Sequence, residues 1–227
     1  ARGGSSGIKE KNIKNLDGLP LIAHSIKSLQ GANCFNKIIV TSDSKKILSV
    51  ASNFKVDVHM RENPQDSDNF TMPDIPVLSL LDSIPSGELP KFVVMVQCTA
   101  PFIKPTSYSA CLKLLKSKPH DTVFAAHTAH AFLWQKNNPN ELESNWVPIN
   151  HPFHERLGRQ FIKNEQVHET GAFYGFPVKE FMQARHRFFN HAYPIKLEED
   201  EIVDINNHND WDYAQFIIQN RKKENAN

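Results

Sequence analysis

The segment Arg2-Gly3-Gly4-Ser5-Ser6-Gly7, with Lys9, Lys11 and Asn12 close behind, gathers the residue types that an anionic ligand requires. Glycines let successive backbone N–H groups converge on one anion, and the hydroxyls of Ser5 and Ser6 add donors. Arg2, Lys9 and Lys11 bring positive charge to the same short stretch. A triphosphate needs this combination, because several oxygens must be held while charge moves onto a departing pyrophosphate. The spacing is not that of a P-loop, GxxxxGK[ST], since Ile8 follows Gly7, and it is not GxGxxG. Taken by itself, the stretch fits a Gly/Ser surface turn flanked by basic residues as well as it fits a phosphate cradle.

Other reactive residue types carry less. Cys98 has no His or Asn at a spacing that would make it a nucleophile, so a small buried side chain is the better expectation. The eleven histidines include His127, His130, His151 and His154, but no cysteine accompanies them and no HExxH occurs. Surface or core packing is expected for these rather than a zinc site.

The elements that must position the glycine loop follow from hydrophobic periodicity. Residues 37–41, 92–96 and 122–126 are continuous β-branched or aromatic runs, which suits strands buried on both faces of a mostly parallel sheet. Residues 56–60 read as a further strand, 171–176 resume strand character, and 192–196 read as an edge strand because of Pro194. Between them run helical stripes. Ile22, Ser25, Ile26 and Leu29 follow Pro20, and Tyr108, Cys111, Leu112 and Leu115 follow Pro105. Trp211, Ala214 and Ile218 repeat the spacing near the C-terminus, and residues 221–225 are expected as a fraying helix end. This alternation predicts an α/β fold with a doubly wound open sheet, whose ligands sit beyond the C-terminal strand ends. Residues 135–168 break the rhythm with Asn, His and Pro, and are expected to form an arm or lid.

The chain of 227 residues suits a single domain, with 40% hydrophobic and 22% charged residues. A formal charge of +1, from 26 basic and 25 acidic side chains, speaks against a nucleic-acid coat or a polybasic membrane anchor. No apolar stretch approaches the ~20 residues of a membrane span. The three cysteines, Cys34, Cys98 and Cys111, form no CxxC pair and are expected as free thiols in a reducing compartment. A strand normally precedes a loop such as 2–7, so the sequence is expected to begin short of its first strand.

The opening ARGGSSGIKEKNIKNLDGLPLIAHSI resembles that of the acylneuraminate cytidylyltransferases, the CMP-sialic acid synthetases and their relatives, with their ARxGSKGIxxKN loop and GxPLI helix start. Ser6 stands where that family often has Lys. The resemblance continues in order along nearly the whole chain. Thr41-Ser42-Asp43 is similar to the family's strand-end TSD, and Gln97-Cys98-Thr99-Ala100-Pro101-Phe102 to its QxTSP segment. Arg156 and Arg159-Gln160 resemble its RxxRQ element, residues 168–174 its ENGAFY strand, and Val203-Asp204-Ile205-Asn206 its VDID turn.

The resemblance implies a Rossmann-like nucleotidyltransferase with an extended dimerisation arm at 135–170, working as a homodimer. It implies that Arg2, Gly3, Ser5, Lys11 and Asn12 contact CTP, with Arg61 near the cytidine. Gln97, Arg156, Arg159 and Gln160 fall on the side of an acidic nine-carbon sugar, whose carboxylate suits a guanidinium fork. Asp204 and Asn206 occupy the Mg²⁺ position, where the family places two aspartates; an amide in the second place lacks a full charge and should weaken binding. Arg2, Lys11 and Asp204 are thus the expected catalytic set, for transfer of CMP from CTP to a sialic-type sugar with release of pyrophosphate. Three alternatives stay open: a sister enzyme for a legionaminic, pseudaminic, deaminated or eight-carbon acid sugar, a nucleotide-binding module that has lost its metal site, and an unrelated carbohydrate-binding domain, which the basic loop disfavours. The compartment implied is the cytoplasm, or the nucleus in a eukaryote.

Overall fold

The computed structural model describes residues 1–4, 7–63, 71–129, 131–154, 158 and 166–224. In chain order these form β1 (Asn15–Leu16), β2 (Leu19–Pro20), α1 (Leu21–Gly31), β3 (Ile39–Ser42), α2 (Lys45–Ser52), β4 (Asp57–Met60) and α3 (Asp74–Asp82). There follow β5 (Phe92–Val96), α4 (Pro105–Ser117), β6 (Thr122–Thr128), β7 (Trp134–Lys136), β8 (Trp146–Pro148), β9 (Val167–Pro177), α5 (Val178–Ala184), β10 (Ala192–Lys196) and α6 (His208–Glu224).

The central sheet has the order β10-β6-β9-β5. β10 pairs in parallel with β6, whereas β9 runs antiparallel to both β6 and β5. Three of the four strands therefore point one way, and the sheet is mixed. β3 and β4 form a separate parallel pair bridged by α2. The strand expected at the sheet edge from Pro194 is at the edge, as a residue without an N–H must be.

The apolar runs are continuous because helices cover both faces. Val94, Val96, Val123, Ala125 and Phe173 pack with Tyr108, Cys111 and Leu115 of α4. Their sequence neighbours Val93, Met95, Phe124, Tyr174 and Phe176 point the other way, onto Leu78 and Leu81 of α3 and Phe181 of α5. This is the strand period of two read on both faces. Pro105 takes the first turn of α4, where its missing N–H costs nothing. The helices α2, α3 and α5 are not marked by a long stripe in the sequence. In α3 the run Ile75–Leu81 is apolar nearly throughout, so periodicity alone does not separate helix from strand there.

Buried polar groups are paired where they join elements. Asp74, with no exposed side-chain surface, receives the Arg187 guanidinium at 3.0 Å, and that guanidinium also lies 4.6 Å from the Tyr174 ring centre. Glu201 accepts from Lys104 N and Ser107 Oγ at 2.7 Å each, tying the start of α4 to the segment before α6.

The region expected as an irregular arm carries regular structure at its start and end. β7 and β8 form an antiparallel hairpin that pairs with no other described strand, and β9 begins at Val167. Three-residue strands fall below the length at which alternation is visible in sequence.

A Cβ on Gly175 would lie 2.7 Å from both Cys111 Sγ and Leu115 Cδ1. Gly175→Ala should therefore overpack the α4–β9 contact and lower stability by about 1–3 kcal/mol in urea denaturation, with little change in the slope.

Candidate active site

The candidate site lies where the C-terminal ends of the β3–β4 pair and of β5 in the central sheet come together. Gly3 N donates to Asp43 Oδ1 at 2.7 Å, which fixes the glycine loop to the residue after β3. Arg61, after β4, donates from Nε to Thr41 Oγ1 and from Nη2 to Thr41 O, both at 3.2 Å. The parallel register places Thr41 opposite His59 and Ser42 opposite Met60, so the two strand ends deliver Asp43 and Arg61 side by side.

Across the loop lies the turn at 203–206. Gly7 is packed so closely there that a Cβ would fall 2.1 Å from Asn206 O. No other residue fits that approach. Lys11 follows in a short 3-10 turn, Lys11–Ile13, and is only 8% exposed. Its ammonium donates to Ile205 O at 2.5 Å. Burial pushes the Lys11 pKa down from its ordinary value, and the Asp204 carboxylate acts against that shift. Ile205 N in turn donates to Thr99 O at 2.9 Å, so the turn is also anchored to the loop after β5.

Asn12 is 7% exposed and commits both ends of its amide within the protein. Nδ2 donates to Arg2 O at 2.9 Å, and Oδ1 accepts from Cys98 Sγ at 3.2 Å. Burial raises the Cys98 pKa, which keeps the thiol protonated and ill-suited to attack. Cys98 is half-buried and packs beside Val40 and Ile22, as a small core residue would.

Gln97 donates its backbone N–H to Ala172 O at 2.9 Å. Its Nε2 lies 3.9 Å from the point where a Cβ on Gly171 would sit. Gly171 has φ +75° and falls in a bulge where the β6–β9 register jumps between Phe124 and Ala126. Bulges at sheet rims re-aim side chains in this way. The Thr170 hydroxyl donates to Ala125 O at 3.2 Å and accepts from Ala172 N at 3.4 Å, so it serves the bulge. The Tyr174 hydroxyl donates to Glu169, and burial, then that bond, push its pKa up to about 12.

Asp204 accepts from Asn206 Nδ2 on Oδ2 at 2.7 Å. Its Oδ1 is buried and, among the described residues, has no hydrogen-bond partner. A carboxylate oxygen left in that state costs free energy unless a cation or donor arrives. Among the described residues no cluster of three or more His, Cys, Asp or Glu exists. A single carboxylate with substrate oxygens and water is nevertheless the usual way in which Mg²⁺ is held, so Asp204 fits that ion. Asn206 approaches the carboxylate as a donor and would have to turn its carbonyl inward to join it. Asp210 does not replace the missing second carboxylate: its Oδ2 accepts from Asn206 N at 2.8 Å and Asn207 N at 2.9 Å, which caps the entry to α6.

Arg2, Gly3, Lys11, Asn12, Arg61, Gln97, Asp204 and Asn206 thus converge on one edge through the contacts above. Ser5, Arg156, Arg159 and Gln160 lie outside the described residues. Sequence reasoning did not give Asp43 or the Ile205 carbonyl a site role. The TSD resemblance pointed at the first, whereas a main-chain acceptor has no side-chain signature.

Solved structures share this fold. The CMP:2-keto-3-deoxy-manno-octonic acid synthetase complexed with CTP superposes with a TM-score of 0.71 at 12% identity, over 97% of this chain and 96% of that one. The 4-diphosphocytidyl-2C-methyl-D-erythritol synthase of Anaerococcus prevotii gives 0.65 at 11% identity, over 96% and 95%. The protein is of the α/β nucleotidyltransferase class. It belongs to the cytidylyltransferase family, whose sequence model matches residues 1–155. Among relatives, N-acylneuraminate cytidylyltransferase A of Danio rerio is 28% identical over 95% of this chain, which spans 48% of that protein. The pseudaminic acid cytidylyltransferase of Campylobacter jejuni is 24% identical over 96% of this chain and 94% of its own length.

The Gly7 contact yields a direct check. Gly7→Ala should force the loop and the Asn206 turn apart, shifting the amide resonances of Asn206 and Asn207 and lowering the melting temperature. Gly87→Ala, where an added Cβ meets nothing within 4 Å, should do neither.

Proposed function

We propose that this chain transfers CMP from CTP to a nonulosonic acid sugar of the sialic type and releases pyrophosphate. The reading is carried by one observation: a glycine-lined basic loop is packed through Gly7 onto a turn whose Ile205 carbonyl holds a buried ammonium, Lys11, within the field of the Asp204 carboxylate. The cytidylyltransferase relatives acting on sialic and pseudaminic acids supply the nucleotide and the acid-sugar class.

In this reading the anomeric hydroxyl of the sugar attacks the α-phosphorus of CTP. Arg2, Ser5 and the loop amides hold the phosphate oxygens. The Lys11 ammonium, largely desolvated, meets the charge that grows on the departing pyrophosphate, and a pre-positioned buried cation needs no reorganisation to do so. Asn12 keeps Arg2 in place through its carbonyl. Arg61, braced on Thr41, serves the cytidine, and Gln97 at the bulge serves the sugar, the role that the family resemblance also gives Arg156, Arg159 and Gln160. Asp204, with Asn206 beside it, would hold Mg²⁺, which when bound supplies charge neutralisation on the triphosphate.

A homodimer is part of the proposal. Trp134, Trp146, Ile149 and Phe153 leave 41–58% of their surface exposed around the β7–β8 hairpin, and a second copy is the expected cover. A second reading concerns the sugar alone. This chain spans nearly all of the pseudaminic acid enzyme but about half of the zebrafish one, and 61 residues match the CMP-N,N'-diacetyllegionaminic acid synthase of Campylobacter jejuni at 41% identity.

Pyrophosphate release with CTP, Mg²⁺ and a panel of sialic, pseudaminic, legionaminic and eight-carbon acids tests both readings. Turnover is expected with at least one acid, and Lys11→Met should reduce kcat at least ~100-fold. Binding of CTP with no turnover on any acid would leave a nucleotide-binding module instead. The pH dependence has a definite sign. Lys11 stays charged below its folded pKa, which burial sets under the ordinary lysine value, and loses its proton as pH rises through it. CTP affinity measured without metal should therefore fall on an alkaline limb below pH ~10.4. Asp204→Asn removes the carboxylate that raises this pKa and should move the limb to lower pH.

A further inference from the structure

At the end of the β6–β9 ladder two histidines, one of them His127, for which the sequence suggested packing, face each other across the strand pair. His127 and His168 are register partners, with ring centroids 5.0 Å apart and ring planes at 86°. His127 Nε2 stands 2.9 Å from His168 Nδ1. The other nitrogen of His127, Nδ1, lies 3.1 Å from Thr128 O. A carbonyl only accepts, so Nδ1 carries the proton and Nε2 presents its lone pair toward His168.

We infer that His127 and His168 form a two-histidine chelate for a borderline transition-metal ion such as Zn²⁺ or Ni²⁺. The separation is the first reason: two ring nitrogens ~2.1 Å from one ion lie about 3.0 Å apart at the right angle that octahedral or square-planar Ni²⁺ takes, and about 3.4 Å apart at the tetrahedral angle of Zn²⁺, so a pair at 2.9 Å matches the first and needs a small opening for the second. The tautomer is the second. A metal-ligating histidine donates its remaining N–H to a carbonyl or carboxylate, and the Thr128 carbonyl already fixes His127 in that form. The backbone is the third, because paired strands hold both ligands with little conformational entropy left to lose. His168 exchanges its hydrogen bond to His127 for a metal bond by releasing the Nδ1 proton to solvent or by taking the other tautomer. Among the described residues no third His, Cys, Asp or Glu completes the set, so water fills the remaining positions. Imidazole pairs suit zinc, copper and nickel, and disfavour magnesium and calcium.

The location gives the chelate a structural role. Thr128 pairs with Val167 at the end of the β6–β9 ladder, and Ala129 N donates to Gln166 O just beyond. The two histidines are thus the last paired residues but one before the chain leaves for the β7–β8 hairpin. An ion there staples the base of that excursion and holds the end of β9 from which the bulge at Gly171 is built.

Zn²⁺ and Ni²⁺ titrations of the full chain near neutral pH, in chelator-free buffer without nucleotide, test the assignment. One equivalent of ion should bind, shift the imidazole resonances of His127 and His168, and raise the melting temperature. His127→Ala and His168→Ala should each weaken binding at least ~10-fold and abolish the rise in melting temperature. His168→Gln retains a hydrogen-bonding side chain and should fold normally while losing the ion, and His186→Ala should leave binding unchanged. Absence of a site in the wild-type chain, equal affinity in the His127 or His168 variants, or resonance shifts confined to other histidines would each overturn the proposal.

Discussion

The ammonium of Lys11 sits where two stretches of chain almost two hundred residues apart are brought together. One is the glycine loop, the other the turn that carries Asp204, and the lysine is bonded to the main chain of the second while belonging to the first. A cation that is mostly withdrawn from water is tolerated only where a carbonyl and a carboxylate take the place of its hydration. That requirement dictates the surroundings. Ile205 must turn its carbonyl toward the loop, Asp204 must come near enough to offset the desolvation, and Gly7 must lack a side chain so that the two backbones can close on each other. The rest of the rim follows from the same convergence. Asn12 links Arg2 to the loop after β5, Asp43 secures Gly3, and Thr99 secures the turn from beneath.

The sheet explains why these segments meet. The C-terminal ends of the β3–β4 pair and of β5 in the central sheet meet through Cys98, and β9, running against β5, returns its N-terminal part there with the bulge that brings Gly171 close to Gln97. A uniformly parallel sheet would deliver only strand C-termini there. The antiparallel member adds a second kind of rim, made of a strand entering the sheet, and its bulge stands beside Gln97.

Much of this was legible in the chain itself. The run Phe92–Val96 was delimited correctly because residues buried on both faces leave no polar interruption, and Pro194 marked the edge because a missing N–H has few other places in a sheet. The glycine loop was visible because glycines and cations gathered this densely suit neither a strand nor a helix and point to an anion. What stayed hidden depended on tertiary contact. Nothing in Asp-Ile-Asn distinguishes an Asn206 that donates to Asp204 from one that joins it as a ligand, and the main-chain acceptor for Lys11 has no signature at all. The helix Lys45–Ser52 presents only Ile47, Leu48 and Ala51 to the core, too few turns for a periodic stripe to stand out. The hairpin in the supposed irregular arm failed to register because its strands are as short as ordinary turns.

The absence of a side chain at Gly175 bears on folding as well as on packing. Strands are free to slide along one another in steps of two residues without exposing their apolar face, and a long strand such as β9 between two partners has more ways than most to pair wrongly. A slide of that size would bring Phe173 or Pro177 beneath Cys111 and Leu115, in a gap sized for hydrogen alone. The helix therefore works as a gauge that admits a single alignment of the strand, and the bulge that shapes the rim inherits its position from a notch on the far side of the sheet.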